Sequence, residues 1–186
     1  RFIVIGLDHF GYSIATALSK RGYEVFAIDR DDKKIEEIKD DVAFAVAVDI
    51  KDKKSLAKFI DKTADAVIVS LGDNILTSIL VVLHMEDLGV KNIIVKASNN
   101  IHEKILGLVG ATEVILPERE VATSVAIRLT TRNVIEHIPL AEDYGVVEIA
   151  VPDNLVGKTL GELKLRNRYE VEVIACLLYT SPSPRD

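Results

Sequence analysis

The sequence predicts a doubly wound α/β domain followed by the start of a smaller α+β domain, and three observations support this fold class. Short apolar runs rich in Val and Ile recur from the first residues onward and are nearly continuous, as is typical of strands buried on both faces of a parallel sheet. Amphipathic segments separate these runs, with pairs such as Ile14 and Leu18 on one helical face. Glycines 22, 89 and 110 stand where helices should end.

Six strands and five helices alternate over about the first 117 residues, which predicts right-handed crossovers between parallel strands. The predicted strands cover residues 2–5, 24–28, 43–48, 66–69, 92–95 and 113–116. The predicted helices cover residues 13–20, 32–39, 54–60, 76–88 and 101–108.

The pattern changes after Pro117. A longer helix is predicted over 118–131, because Val121, Val125 and Leu129 recur at helical spacing. Alternation then predicts strands at 133–140 and 144–151, a short helix at 156–165 and a strand at 170–175. The sequence therefore divides into a first domain (1–117), a crossover helix with a linker (118–139) and a partial second domain (140–175).

The last residues, 176–186, interrupt this pattern and resemble the in-frame translation of a transposase-type sequencing adapter. An ordinary Ser/Pro-rich tail is the alternative. We leave this segment out of the fold prediction and expect the natural sequence to end near Ala175. Cys176 is the only cysteine of the chain, so neither an intrachain disulfide nor a catalytic thiol is expected.

Composition excludes several classes of function. The chain has 186 residues, and 23 Lys and Arg against 29 Asp and Glu give a formal net charge of −6. This balance argues against a nucleic-acid partner, because phosphate neutralisation needs a basic face. The longest uncharged apolar stretch, residues 74–85, is shorter than the ~18–20 residues of a membrane span. No signal peptide opens the sequence, so a cytoplasmic protein is expected.

The turn after the first predicted strand is the candidate functional site. It reads Gly6-Leu7-Asp8-His9-Phe10-Gly11 and lies between a strand and a helix. The Rossmann dinucleotide fingerprint requires glycine at three places there: for a tight turn, for close approach to phosphates, and for helix–strand packing. Gly6 and Gly11 fill the first and third places, and Asp8 occupies the second.

Asp8 departs from the fingerprint in both size and charge. Two unit charges about 4 Å apart repel by roughly 4 kcal/mol at an effective dielectric near 20, so a carboxylate facing a phosphate should weaken binding. Either Asp8 is an adaptation that weakens nucleotide binding or requires a metal, or it reflects a one-base sequencing error, since Gly and Asp codons differ at one position. We expect glycine at this position to tighten nucleotide binding.

Asp29 ends the second predicted strand, where an acid hydrogen-bonds ribose hydroxyls and disfavours the 2′-phosphate of NADP. Its alternative role is a helix N-cap. His9 lies beside the start of the first helix, whose N–H groups suit a di- or triphosphate, although it could equally be a solvated turn histidine. Histidines 84, 102 and 137 lack metal-ligand spacing and are expected on the surface or facing a partner. No zinc pattern, catalytic carboxylate pair or nucleophile elbow is found.

The natural span, about residues 1–175, resembles the KtrA/TrkA family, whose members carry an RCK (KTN) nucleotide-binding domain and a small C-terminal RCK domain. The fingerprint itself is shared with many dehydrogenases. More specific are a VKA element after the fifth strand, an LPE element before the long helix, and a YxxVE strand. The stretches that carry the resemblance are 4–7 with 10–11, 25–29, 94–97, 110–111 with 115–120, and 144–148.

The resemblance implies a regulator of potassium transport and not an enzyme. Such regulators bind ATP or ADP, or NAD(H), and assemble as homo-oligomers from dimers to rings. The ring docks on a membrane-embedded potassium-translocating subunit at the inner face of the plasma membrane. Exchange of the nucleotide then shifts the population of ring states.

The resemblance also implies the cofactor-binding residues. Gly6 and Gly11 form the phosphate turn, His9 faces phosphate, Asp29 binds ribose and Asp49 lies beside the adenine ribose. Glu118 matches an acid that helps to hold a divalent cation, which is the only metal ligand expected. Three alternatives stay open: Asp49 as a helix cap, Lys96 as a solvated lysine, and Glu118 as a complement to its helix dipole. The full predicted set is Gly6, Asp8, His9, Phe10, Gly11, Asp29, Arg30, Asp49, Lys96, Ala97, Asn99 and Glu118.

Two other functions remain as alternatives. One is an NAD-dependent oxidoreductase that has lost its catalytic domain, which the small domain after Leu140 argues against. The other is the cytosolic domain of a larger potassium channel or antiporter. For any of these, the helix at 76–88 carries more apolar residues than one face can bury, which predicts contact with a partner subunit.

Overall fold

A computed structural model describes residues 1–130, 134–141 and 144–176. The described chain forms two compact units, the first ending at Val121 and the second beginning at Ala122. The first unit contains a parallel sheet of six strands in the order β3-β2-β1-β4-β5-β6. The strands are β1 Phe2–Ile5, β2 Val25–Asp29, β3 Phe44–Ala47, β4 Ala66–Val69, β5 Ile93–Lys96 and β6 Glu113–Ile115.

Helices connect these strands and confirm the doubly wound α/β prediction. The helices are α1 His9–Lys20, α2 Asp32–Ile38, α3 Lys53–Ala57, α4 Ile75–Asp87 and α5 Asn100–Leu108. All six predicted strands and all five predicted helices are present. The largest difference is the start of α1, which begins four residues before the predicted Ser13, because the Asp8 side chain caps the helix there by accepting from Gly11 N.

The core of this unit lies on both faces of the sheet. Ile3 and Ile5 of β1 pack on one face with Val81 of α4 and Leu106 of α5. Val4 lies between them in sequence and faces the opposite side, where it packs with residues that include Ala15 of α1 and Ile38 of α2. Each strand thus buries both of its faces, which explains its continuous apolar sequence.

The second part of the chain differs from the prediction at its end. Helix α6 (Pro117–Thr130) is followed in the sequence by an antiparallel pair, β7 (Val134–Ala141) and β8 (Tyr144–Ile149). The predicted helix at 156–165 becomes two short ones, α7 (Leu160–Leu163) and α8 (Leu165–Tyr169), because Lys164 between them has φ of 47°. The predicted start of β7 at Asn133 lies outside the described residues.

The predicted strand at 170–175 is wrong. Glu170 has φ of 55°, which turns the chain out of the extended conformation, and residues 171–176 pair with no other strand within the described chain. Val173 and Ile174 are 42% and 79% exposed. Alternating apolar residues form a strand only where another element covers their apolar face and pairs with their backbone.

The described residues include no helix that is both long and apolar enough to cross a lipid bilayer.

Two glycines permit close backbone contacts at the end of β1. Gly6 has φ of +90°, and a Cβ built there would lie 2.0 Å from the carbonyl oxygen of Ser70. A Cβ on Gly11 would lie 2.1 Å from the carbonyl oxygen of Gly6. These are the tight turn and the close helix–strand packing that the fingerprint requires.

His102 is buried, so its predicted position at the surface or facing a partner is wrong. The residue is 1% exposed. Ser98 N–H donates to Nδ1 (3.2 Å), so the proton is on Nε2, which donates to Ser78 Oγ (2.7 Å). The Ser78 hydroxyl in turn donates to the Ile75 carbonyl. The network satisfies both ring nitrogens of a neutral imidazole, and burial lowers the pKa of His102 below its ordinary value.

We expect Gly6→Ala to lower the free energy of unfolding by at least about 2 kcal/mol more than Gly22→Ala does. Gly22 is a matched control, because its φ is +85° and an added Cβ would meet no atom within 4 Å. The backbone strain is therefore similar, and the difference measures the collision with Ser70. Urea denaturation of both variants provides the comparison. Equal losses would mean that the turn relaxes away from Ser70.

We also expect the stability contribution of His102 to depend on pH. Its pKa is lower in the folded chain than in the unfolded chain, so below about pH 6.5 the unfolded chain takes up a proton that the folded chain excludes. Stability therefore falls as the pH drops through this value and levels off below the folded-state pKa. Thermal unfolding of the wild type and of His102→Gln should show a stability difference that shrinks on acidification. A pH-independent difference would contradict this assignment.

Candidate functional site

The candidate residues lie along one edge of the sheet, where the parallel strands end at their carboxyl termini. β1 is bordered by β2 on one side and β4 on the other, so the chain order reverses at β1 and β4. The crevice outside such a switch point is the usual ligand site in open α/β sheets. The predicted residues lie at the ends of β2 and β5 or in the segments that follow β1, β2, β3, β5 and β6.

The fingerprint turn connects β1 to α1 in the geometry of a phosphate-binding turn. Gly6 and Gly11 are both buried, and α1 begins at His9. The side chain of His9 is exposed and that of Phe10 is half-buried. The turn thus directs the N-terminus of a 12-residue helix at the switch point, where its N–H groups and positive partial charge favour an anion.

The Asp8 carboxylate is directed at these same N–H groups. Oδ1 accepts from Gly11 N (2.8 Å) and from Ser70 Oγ (2.6 Å), and Oδ2 accepts from Gly72 N (3.0 Å). Burial by itself raises the pKa of Asp8, but these hydrogen bonds and the nearby Lys96 charge outweigh it and lower the pKa below its ordinary value. Asp8 is therefore an ionised N-cap with φ of −70° and without backbone strain.

Lys96 at the end of β5 lies between two carboxylates. Its ammonium is 2.8 Å from Glu118 Oε1 and 3.6 Å from Asp8 Oδ2. Burial lowers the pKa of Lys96, but the hydrogen bond to Glu118 and the charge of Asp8 raise it above its ordinary value. Its side chain is only 14% exposed, so Lys96 is not the solvated lysine of the alternative reading.

Glu118, the predicted metal ligand, is paired with Lys96. That hydrogen bond lowers the pKa of Glu118 below its ordinary value, although its side chain is 70% exposed. The described residues contain no group of three or more His, Cys, Asp or Glu side chains that could hold a metal ion. Among the described residues, a cation bound here would therefore have Glu118 and few other side chains as ligands.

Asp29 is buried beside the phosphate turn and does not cap a helix. Oδ2 accepts from Leu7 N (2.6 Å) and Oδ1 from Asp31 N (3.0 Å), while Lys34 Nζ lies 3.6 Å from Oδ2. Asp31 caps α2 by accepting from Lys33 N. The cap alternative for Asp29 is therefore wrong, and the hydrogen bond to Leu7 ties the end of β2 to the fingerprint turn.

The remaining predicted residues lie at the same edge with other contacts. Asp49 is exposed and accepts from Lys51 N, while Asp52 caps α3, so the cap alternative for Asp49 is also wrong. Ala97 is buried in the core, and the Asn99 side chain caps α5. Arg30 is exposed. Within the described chain, the close group is thus Asp8, Gly11, Lys96 and Glu118, with Asp29 joined to it through the turn.

Three residues of this edge were not predicted: Ser70, Gly72 and Ser98. Ser70 and Gly72 follow β4 and donate to Asp8, and the Ser98 hydroxyl donates to the Gly72 carbonyl (3.0 Å). Their position just after a predicted parallel strand was the available signal, because all such residues meet at one edge. Beside them lies an open cavity of about 700 Å³, lined among others by Asp73, Lys96, Ser98, Asn99 and Glu118.

Comparisons with known proteins agree with this architecture. The model of the TrkA-N domain matches residues 2–117. The chain is 40% identical over 174 residues to Ktr system potassium uptake protein C of Bacillus subtilis strain 168, covering 94% of this chain and 79% of that protein. It is 33% identical over 193 residues to Ktr system potassium uptake protein A of the same strain, covering 100% and 86%.

Solved structures of the GsuK channel share the fold. The channel bound to NAD gives a TM-score of 0.69 at 17% identity over 90% of this chain and 31% of that chain. The structure bound to ADP gives 0.62 at 17% identity over 89% and 50%. The family-model match and the Bacillus relatives, taken with the six-stranded sheet, establish the resemblance first drawn from the VKA and LPE elements: the chain belongs to the TrkA-N family.

Proposed function

We propose that this chain is a nucleotide-binding regulatory subunit of a potassium uptake system and not an enzyme. The observation that carries the proposal is the hydrogen bond from Leu7 N to the buried Asp29 Oδ2. It holds an acid at the end of β2 beside the turn between β1 and α1, the arrangement by which Rossmann folds grip the ribose and phosphates of one nucleotide. Two relatives named as Ktr system potassium uptake proteins support a role in potassium uptake.

The ligand is an adenine nucleotide, ATP, ADP or NAD(H). GsuK structures of the same fold are described as bound to NAD and to ADP. In the proposed pose, Asp29 accepts from the ribose hydroxyls, and the turn from Gly6 to Gly11, with His9, Phe10 and Lys96, faces the phosphates. Arg30, Asp49, Ala97 and Asn99 border the adenosine and the cleft. A divalent cation carried by the phosphates would meet Glu118.

Regulation then follows from differential affinity. A nucleotide can open or close a transport pathway only if it binds two states of the assembly with different affinities. The proposed assembly is a homo-oligomer that docks on a membrane-embedded potassium-translocating subunit at the cytoplasmic face. In this proposal the chain binds the nucleotide and supplies no reacting group.

A second candidate is the cytosolic domain of a larger potassium channel. The observation that favours it is the fit of 90% of this chain onto 31% of the GsuK channel. The nucleotide site and its tests are the same in both cases, and the coding sequence upstream of Arg1 distinguishes them.

We expect Asp29→Asn to weaken binding of an adenine nucleotide by about 1.5–3 kcal/mol, because hydrogen bonds to a charged acceptor contribute about this much. Calorimetric titration with ATP, ADP, NADH and NADPH measures the effect. NADPH should bind the wild type most weakly, since its 2′-phosphate faces the Asp29 charge.

Asp31→Asn is the matched control for this variant. It removes a neighbouring carboxylate that caps α2 but keeps a good capping residue, so nucleotide affinity should be unchanged. Equal affinities of wild type and Asp29→Asn would show that Asp29 serves only the backbone of the turn and would remove the basis of the proposed site.

We expect the protein to form at least a dimer, through the face of α4. Leu76 is 78% exposed and Leu83 40% exposed on this helix, which leaves apolar surface for a partner. Leu76→Lys should shift the protein toward monomer in light scattering at micromolar concentration. Tyr23→Lys is the control and should not, because this 51% exposed position follows α1, the helix that packs on the opposite face of the sheet. A wild-type protein that is monomeric throughout would contradict this assembly.

A further inference from the structure

The Asp8 carboxylate has partners that an ordinary helix cap lacks. It accepts from Gly11 N in its own helix, but also from Ser70 Oγ and Gly72 N in the loop after β4, and it lies 3.6 Å from Lys96 Nζ of β5. Donors from three separate segments therefore converge on one anion. We call these four donors the anion cradle: Gly11 N, Ser70 Oγ, Gly72 N and Lys96 Nζ.

Other caps in the chain behave differently. Asp31 accepts from Lys33 N, and Asp52 accepts from Lys54 N and from the N–H and hydroxyl of Ser55. All of these donors belong to the first turn of the capped helix. The convergence on Asp8 is thus a property of the switch point and is not required to start a helix.

The cradle has the composition of a phosphate site. It combines a backbone N–H at a helix N-terminus (Gly11), a backbone N–H of a loop (Gly72), a hydroxyl and a lysine. Proteins use donors of these kinds for phosphate oxygens. A carboxylate offers two acceptor oxygens and one negative charge, so it imitates part of a phosphate group. The glycine of the fingerprint leaves these donors to the ligand, whereas Asp8 uses them within the chain.

We propose that Asp8 is an internal anion that occupies the phosphate cradle of the nucleotide site and competes with the ligand phosphates. This rests on the proposed function and specifies the selectivity of the same site. A nucleotide gains the cradle donors only when its phosphate displaces the carboxylate. Adenosine, which has no phosphate, binds at the Asp29 end without this competition. The site of this chain therefore discriminates against the phosphate part of its ligand.

The test uses Asp8→Gly and Asp8→Ser in the full chain. Glycine removes the carboxylate, and serine removes the charge while keeping a hydroxyl that caps α1 about as well as aspartate, so a folded variant is secured. Asp52→Ser is the matched control, since it removes the carboxylate of another helix cap outside the cradle. Circular dichroism establishes that each variant is folded. Calorimetry gives the affinities for ADP and adenosine, and thermal unfolding with inorganic phosphate probes the cradle alone.

We expect ADP to bind Asp8→Gly at least about tenfold more tightly than the wild type, with Asp8→Ser changed in the same direction. Adenosine affinity should stay within about twofold in all variants, well under the 1.4 kcal/mol of a tenfold change. Inorganic phosphate should raise the melting temperature of both Asp8 variants and leave the wild type and Asp52→Ser unchanged.

Two results would overturn the proposal: ADP that binds the wild type and binds both Asp8 variants equally or more weakly, or phosphate that stabilises the wild type as much as the variants. The proposed function fails in a different way. If neither adenosine nor ADP binds any form, but phosphate stabilises only the Asp8 variants, the internal anion stands and the nucleotide site does not.

Discussion

The Asp8 carboxylate accepts hydrogen bonds from backbone N–H groups at the point where the two halves of the sheet meet. The loops after β1 and β4 diverge there, and their N–H groups lie in the same crevice without strand partners. Asp8 supplies an acceptor to Gly11, Gly72 and Ser70 together. Buried or half-buried N–H groups left unpaired are costly, so either this side chain or a bound anion must serve them. Asp8 also begins α1 early by capping it, and its charge lies 3.6 Å from Lys96, which in turn pairs with Glu118.

The first domain was predictable because its signals are local and redundant. Each strand of the sheet is buried on both faces, as Ile3 and Val4 demonstrate, so the apolar run itself identifies the strand. Gly6 and Gly11 could be assigned from the fingerprint because their roles are set by backbone approach within a few residues. The region after Pro117 lacks this redundancy, and the strand expected at 170–175 depends on covering elements that its own sequence does not specify.

Side-chain roles at the site were predictable only in part. That Asp29 and Asp49 lie at the carboxyl edge follows from where their strands end. The residues that cap the following helices are Asp31, two residues after Asp29, and Asp52, three residues after Asp49. Because several Asp residues follow each strand, the sequence does not show which of them is the N-cap. The sequence predicted a surface position for His102, because a polar side chain is buried only when it has hydrogen-bond partners. Its partners, Ser78 and Ser98, belong to different segments and could not be identified from the sequence. The sequence predicted that Asp8 repels a ligand, but not that it accepts hydrogen bonds from Ser70 and Gly72. These donors belong to a loop about sixty residues away in the sequence.

The buried imidazole of His102 has a mechanical consequence for this edge. Its two nitrogens are committed in a fixed direction, accepting from Ser98 and donating to Ser78, while Ser98 also holds the carbonyl of Gly72. A small displacement of the loop after β5 would leave a ring nitrogen unpaired in a dry interior, which is unfavourable. The network therefore couples three segments: the loop after β5, helix α4 through Ser78, and the loop after β4 through Gly72. A displacement of the loop after β5 breaks hydrogen bonds to both of its neighbours.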